Sequence, residues 1–234
     1  MDAQVAIPAR FNGPPTSGNG GYSCGVIAAY IDGPAQVRLH VPPPLDKPMQ
    51  IHVDNDGVVQ MHDGDTLVGS GTAVDYSLDI PPAPSLEQAE DAMKRFPSYE
   101  KHIFPTCFVC GPGRPHKDGL EIFPGPVEDW SLLACVWKPS DDILDEAGNV
   151  PANILWAALD CPGAFATMGG KEIASVLGQL DAEINATVKG GEPLIVYSWP
   201  LGNDGRKHYA GAAVATASGE VIASSRSIWI ELKK

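Results

Sequence analysis

The sequence predicts an α+β chain of two similar units, each an antiparallel sheet wrapped around a buried helix. Three observations carry this reading. The segments Gly20–Ile31 (GGYSCGVIAAYI) and Asn153–Met168 (NILWAALDCPGAFATM) are apolar on nearly every face, so as helices they must be enclosed. Each is followed by four runs of strand-like composition. The 234 residues include 25 Gly and 22 Pro, about one in five, which calls for many turns and hence many strands. A curved sheet closes around one such helix in about 110 residues. The expected units are 1–80 and 106–234, joined by a linker at 81–105 that carries one short helix.

The elements follow in order. Gly13-Pro14-Pro15 and Gly18-Asn19 form a loop before the first helix, and Gly33-Pro34 ends it. Val37–Val41 alternates as a strand, and Pro42-Pro43-Pro44 confines it to an edge or an end. Met49–Val53 and Val58–His62 flank Asn55-Asp56-Gly57, a hairpin signal. Asp63-Gly64-Asp65 turns the chain into a strand over Thr66–Tyr76. In the linker, Ser85 with Gln88 makes a capping box for a helix over Leu86–Arg95. Leu120–Phe123 and Leu132–Trp137 are expected to pair. Asn149 is placed to cap, and Pro151 to open, one continuous helix to about Met168. Gly178–Lys189, Leu194–Leu201, Arg206–Ala217 and Val221–Leu232 complete the second sheet, with turns at Gly190-Gly191, Asn203-Asp204-Gly205 and Ser218-Gly219.

Composition narrows the function classes. The net charge is −13, spread as −7 over residues 1–110 and −6 over 111–234. Phosphate-backbone binding needs a basic face, so nucleic acid is not an expected partner. No polybasic anchor and no apolar run near the ~20 residues of a membrane span is present, so no membrane association is expected. The start MDAQVAIPAR lacks a basic stretch followed by an apolar core. With five cysteines, an odd number, this points to a cytoplasmic protein with reduced thiols.

Three motifs resemble those of the hotdog-fold acyl-CoA thioesterase superfamily, in its double-hotdog (fused) form. Asn19-Gly20-Gly21-Tyr22 resembles the His-Gly-Gly at the helix start, with Asn for His. Leu155-Trp156-Ala157-Ala158-Leu159-Asp160 resembles the helix segment ending in the catalytic Asp of the fused enzymes. Cys107-Phe108-Val109-Cys110-Gly111-Pro112, followed by Gly119-Leu120, resembles the lead-in to the first strand of single-domain members. The resemblance implies hydrolysis of an acyl-CoA or acyl-carrier thioester without a cofactor, one site between two units, and a possible homodimer of double hotdogs.

The residues fit that chemistry. Free N–H groups at a helix start polarise a carbonyl, and Gly20 and Gly21 let a substrate approach the backbone. Asp160 lies eight residues past Ala152, about 12 Å along a helix. A carboxylate on an apolar helix is costly unless paired or functional, and burial raises its pKa toward a general base's range. The alternative role for Asp160 is a buried carboxylate bonded to backbone amides; for Asn19 it is a plain N-cap. The first helix has Ala28 or Ala29 at the matching depth. One complete site per chain is therefore expected, with the equivalent region at Ala152 and Asn153 degenerate. Tyr22, Asn153, Trp156, Gln179, Arg206 and Arg226 are candidate substrate-binding residues. Core packing competes for Tyr22, Trp156 and Phe165, and ordinary strand-face charge competes for Arg206, Lys207 and Arg226.

One feature departs from the fused enzymes. They carry a Gln on a late strand where Ala223-Ser224-Ser225-Arg226-Ser227 stands here, with Gln179 and Asp181 the nearest polar substitutes. A hotdog protein that binds acyl thioesters without hydrolysing them is thus the competing reading. Other motifs carry less. Gly21-Tyr22-Ser23-Cys24-Gly25 matches G-x-S-x-G, but no strand precedes it. Asp46, His52 and Asp54 are one residue too widely spaced for the hotdog hydratase motif. Cys107-x-x-Cys110 with His102 or His116 is half a zinc site, and Cys24, Cys135 and Cys161 have no partner at metal spacing, so no metal is expected.

Overall fold

The computed structural model describes residues 2–115, 118–171 and 174–233. Its strands join into one eleven-stranded sheet in the order β1-β3-β4-β5-β2-β8-β11-β10-β9-β7-β6. The first unit contributes β1 (Asp2–Val5), β2 (Ala35–Leu39), β3 (Met49–Val53), β4 (Val59–Asp63) and β5 (Thr66–Ala73). The second contributes β6 (Gly125–Pro126), β7 (Leu133–Trp137), β8 (Ser175–Ile184), β9 (Leu194–Asp204), β10 (Lys207–Thr216) and β11 (Val221–Glu231). All pairings are antiparallel. The halves meet at β2 and β8, where Val37 lies opposite Leu180 and Arg38 opposite Gln179.

The helices α1 (Gly20–Ala28), α3 (Ala152–Ala158) and α4 (Cys161–Met168) share one core with the inner face of the sheet. Central helices α1 and α3 cross closely because two glycines one turn apart carry no Cβ at the contact. A Cβ on Gly21 would stand 2.4 Å from the Trp156 carbonyl oxygen, and one on Gly25 2.6 Å from Asn153 Cα. Neither unit encloses its helix alone; each helix is part of the other's wall.

Residues 74–95 do more than link. They lie on the opposite face of the second unit's sheet, where Leu78, Ile80, Ala83 and α2 (Leu86–Met93) cover Ala134, Ile195, Tyr197, Trp199 and Ala213. The Tyr197 hydroxyl donates to the Pro81 carbonyl at 3.2 Å. The capping box at α2 forms as expected, with Ser85 Oγ accepting from Gln88 N and Gln88 Oε1 from Ser85 N.

Four expectations are corrected. The helix read as continuous from Pro151 to Met168 is two helices, broken at Leu159–Asp160, because Pro162 has no N–H to continue the ladder. Asn149 does not cap it: Pro151 holds the N-cap position, and the Asn149 side-chain amide donates to Asp145 Oδ2 at 3.4 Å in the preceding turn. Leu120–Phe123 is not β7's partner. It hydrogen-bonds to Phe108 and Val109, and the two-residue β6 pairs with β7. Strand β1 was not expected at all; it adds an edge to β3.

Candidate active site

The helix break puts Asp160 at the N-cap of α4 rather than inside a helix. Two buried serines take up carbonyls near the break: Ser225 Oγ donates to Leu159 O at 3.3 Å and Ser198 Oγ to Pro162 O at 2.8 Å. In a continuous helix Leu159 O would accept from Gly163 N, which instead donates to Asp160 O at 3.0 Å. Ser225 thus satisfies one carbonyl that the break leaves open.

Asp160 faces the start of α1. Its Oδ2 accepts from Asn19 Nδ2 and from the Gly21 N–H, each at 2.9 Å. Asn19 is also the N-cap of α1, its Oδ1 accepting from Tyr22 N at 2.9 Å. Both readings of Asn19 are therefore compatible: one amide caps with its oxygen and holds the carboxylate with its nitrogen. Asp160 is 2% exposed, and its Oδ1 has no hydrogen-bond partner among the described residues. Burial raises its pKa to about 7, against the opposing pull of the Gly21 amide and Asn19.

Asp160, Asn19 and Gly20 line a cavity of about 770 Å³. Its wall is largely apolar and aromatic, with Phe104, Trp130, Phe165, Met168, Leu177 and Trp229, and it includes two cations, Lys101 and Lys171. The roles of the two glycines separate here. Gly21 spends its N–H on Asp160 and packs against Trp156, whereas Gly20 lines the cavity and its N–H has no hydrogen-bond partner among the described residues.

The other candidates fall elsewhere. Tyr22 is buried and stacks on Phe11, with ring centroids 4.0 Å apart. Trp156 lines a second cavity of about 360 Å³ beside Ala28, Ala29 and Ala152, at the equivalent position where a degenerate site was expected. Asn153 lies under Gly25 at the helix crossing. Gln179 and Arg226 stand on the sheet face opposite the helices: Arg38 donates to Gln179 Oε1, Gln179 Nε2 to Asp181 Oδ1, and Arg226 to Asp181 Oδ2. Arg206 donates to the Glu231 carbonyl. None of these six lines the larger cavity.

The stretch 223–227 is fully engaged. Ser224 donates to Tyr76, Ser225 to Leu159 O, Arg226 to Asp181, and Ser227 to Ala210 O while accepting from Trp229 Nε1. Ser23 lies within α1 and donates to Asn19 O, and the segment before it is a loop, so the G-x-S-x-G match is not a strand-to-helix elbow. His52 is exposed on β3 beside Asp2. His116 lies outside the described residues.

Of the aromatic wall the sequence singled out Phe165 alone; it missed Lys101, Lys171, Phe104, Trp130 and Trp229, which come from loops and a distant strand with no shared pattern. It also left Cys161 without a partner. The fold brings it to Cys107 and Cys110: the three sulfurs lie within 4.8 Å of one another on the cavity wall, with Cys107 Sγ 3.7 Å from Cys161 Sγ. The loop carrying the pair is held by Arg114, which donates to Asn12 Oδ1, Thr106 O, Arg10 O and Asp118.

No family model matches the sequence, and no curated protein matches it. Solved structures do match along the whole chain. A tesB protein of Mycobacterium avium subs paratuberculosis is 15% identical, with TM-score 0.62 over 99% of this chain and 93% of its own. The acyl-CoA thioesterase II TesB2 of Mycobacterium marinum is 11% identical, with TM-score 0.63 over 100% and 93%. A conserved protein of unknown function with a hot dog fold from Alicyclobacillus acidocaldarius is 10% identical, with TM-score 0.62 over 100% and 94%. Two units sharing one sheet, with their helices crossed at its centre, make this chain a double hotdog of the architecture found in TesB-type thioesterases.

Proposed function

We propose that this protein hydrolyses an acyl thioester of coenzyme A or of an acyl carrier, at one site per chain. The observation that carries the reading is the carboxylate of Asp160, held by Asn19 and Gly21 on the wall of a largely apolar cavity. With Oδ2 fixed by two donors, the unpartnered Oδ1 is free to hold and deprotonate a water. The Gly20 N–H, at the positive end of α1, polarises the thioester carbonyl. The water oxygen bonds to the carbonyl carbon, the C–S bond breaks, and the thiolate leaves and takes up a proton. The apolar and aromatic wall accepts the acyl group, and Lys101 and Lys171 meet the phosphates of the carrier. These two cations support anion binding by a protein of net charge −13. The name of the M. marinum neighbour, an acyl-CoA thioesterase, agrees with the reading.

The second reading, binding without hydrolysis, draws on the stretch 223–227, whose polar side chains are all occupied within the fold. A panel of CoA esters assayed by free-thiol release separates the two. Turnover that is lost in Asp160→Asn supports hydrolysis at this site. A thermal shift with CoA esters and no thiol release supports the binder, and turnover unchanged in Asp160→Asn removes the assigned role of Asp160.

A further inference from the structure

We propose that Cys107, Cys110 and Cys161 form a three-thiolate site for a Zn²⁺ ion, with its fourth coordination position open to the cavity. The inference does not depend on the thioesterase reading. It begins with a turn. Cys107 and Cys110 have the C-x-x-C spacing that puts two sulfurs on one side of a tight loop. The Gly111 N–H closes that loop on the Cys107 carbonyl at 2.9 Å. Gly111 is fitted to it: a Cβ there would come within 2.6 Å of the Cys107 and Pro105 carbonyl oxygens.

The third sulfur comes from a different element. Cys161 is the first residue of α4, and the break at Leu159–Asp160 turns it toward the loop. All three cysteines are buried and unoxidised, and among the described residues they are the one group of three His, Cys, Asp or Glu side chains close enough to share an ion. The spacing suits zinc. Zn–S bonds of ~2.3 Å in a tetrahedron place sulfurs about 3.8 Å apart. Cys107 and Cys161 are already 3.7 Å apart, and no pair exceeds 4.8 Å.

The surroundings suit bound thiolates better than three thiols. Asn19 Nδ2 points a donor at Cys161 Sγ, 3.7 Å away, as amide donors do around metal-bound sulfur. Three buried polar atoms in residues of the same cavity wall lack hydrogen-bond partners among the described residues: Asp160 Oδ1, His102 Nε2 and Ser175 Oγ. Three protein ligands with one position facing a cavity is the donor count of a zinc that also takes an exogenous ligand. Soft thiolates favour Zn²⁺ over Mg²⁺, Ca²⁺ or Mn²⁺. Binding releases the thiol protons to solvent and involves no oxidation or reduction. The ion would tie the 107–110 loop to the first residue of α4, next to Asp160.

The test uses the full chain, untagged and fully reduced, dialysed with Zn²⁺ and then against metal-free buffer. The expected result is one zinc retained per chain by elemental analysis. Reconstitution with Co²⁺ should give the sulfur-to-cobalt charge-transfer absorption and the intense visible bands of a tetrahedral thiolate site. Cys107→Ser and Cys161→Ser should each lose both signals, while Cys24→Ser and Cys135→Ser keep them. Circular dichroism establishes that the variants are folded, and the wild-type Co²⁺ spectrum decides the matter if they are not. Three outcomes overturn the proposal: reduced wild-type protein that retains no zinc, a Co²⁺ complex without sulfur charge transfer, or full zinc retention in Cys161→Ser.

Discussion

The Gly21 N–H donates to Asp160 Oδ2 at 2.9 Å, so a carboxylate from the second unit sits on the first turn of the first unit's helix. The same glycine packs against both α3 and the α3–α4 junction, with no room for a Cβ. Packing and site geometry therefore share one residue. Gly21→Ala would push a methyl against the Trp156 carbonyl and Asp160 Cβ, at 2.4 and 2.5 Å, and force the helices apart. Gly25→Ala meets Asn153 Cα at 2.6 Å, one turn away on the side of the smaller cavity. Overpacking of this kind costs about 1–3 kcal/mol. Both variants should lose that much in denaturant unfolding. Thioester hydrolysis should fall far more in Gly21→Ala, since Gly25 makes no contact with the carboxylate.

Asn19 works with both ends of its amide, and two substitutions separate them. Asn19→Ser keeps a good N-cap oxygen for Tyr22 N but removes the donor to Asp160. Asn19→Ala removes both. Ala at an N-cap costs about 1 kcal/mol relative to Ser. Asn19→Ala should therefore unfold at a lower temperature than Asn19→Ser, while the two lose hydrolytic activity to a similar degree. Equal stability would show that the cap contributes little; activity retained in Asn19→Ser alone would separate the donor from the chemistry.

Asp160 itself should show activity and stability moving apart. Burial works against its charge, and only Oδ2 is partnered. Asp160→Asn keeps the size and an oxygen to accept from Gly21 N while removing the buried charge. Its unfolding free energy should stay within about 1 kcal/mol of wild type or rise, as turnover is lost. A large destabilisation would favour a structural carboxylate.

The two-unit layout was legible because segments that are apolar all round, such as 20–31, leave no other solution than enclosure, although the helix itself stops at Ala28. Strand limits at β3 and β10 followed from alternation and from Gly-rich turns. Asp160 stood out as a lone carboxylate in an apolar run. Its position differs from the expectation because an apolar run reads as one continuous helix, whereas the missing N–H of Pro162 ends one helix and starts another. That break also explains why Cys161 looked isolated: its partners are 51 and 54 residues away in sequence, and spacing rules see only neighbours. Lys101 and Lys171 lie in irregular segments that carry no period, so nothing local linked them to a helix start.

Ser225 tests the helix break. Its hydroxyl donates to Leu159 O, the carbonyl left over when Gly163 N turns to Asp160 O. Ser225→Ala leaves that buried carbonyl without the hydroxyl, at a cost of about 1–3 kcal/mol. Thermal unfolding should fall by roughly 2–4 °C per kcal/mol for a chain of this size. No change would mean that the carbonyl finds another partner.

The cations decide how an acidic chain meets an anionic carrier. Lys101 and Lys171 line the cavity, whereas Arg226 is bound to the buried carboxylate of Asp181 on the far face and Arg206 caps the Glu231 carbonyl. Exposed cations attract phosphate through screened Coulomb forces, so their effect should fade with salt. Lys101→Glu/Lys171→Glu should raise KM for acyl-CoA about tenfold, roughly 1.4 kcal/mol of binding, at low ionic strength, with kcat little changed and the salt dependence flattened. Arg206→Ala should leave KM as it is. Arg226→Ala should also leave KM but lower stability, because Asp181 is 1% exposed and would keep only the Gln179 amide; with Arg226 itself half-exposed the loss should be about 1–3 kcal/mol. A KM that responds to Arg226 and not to the lysines would move the carrier's phosphates to the other face of the sheet, where the helix starts cannot reach the thioester.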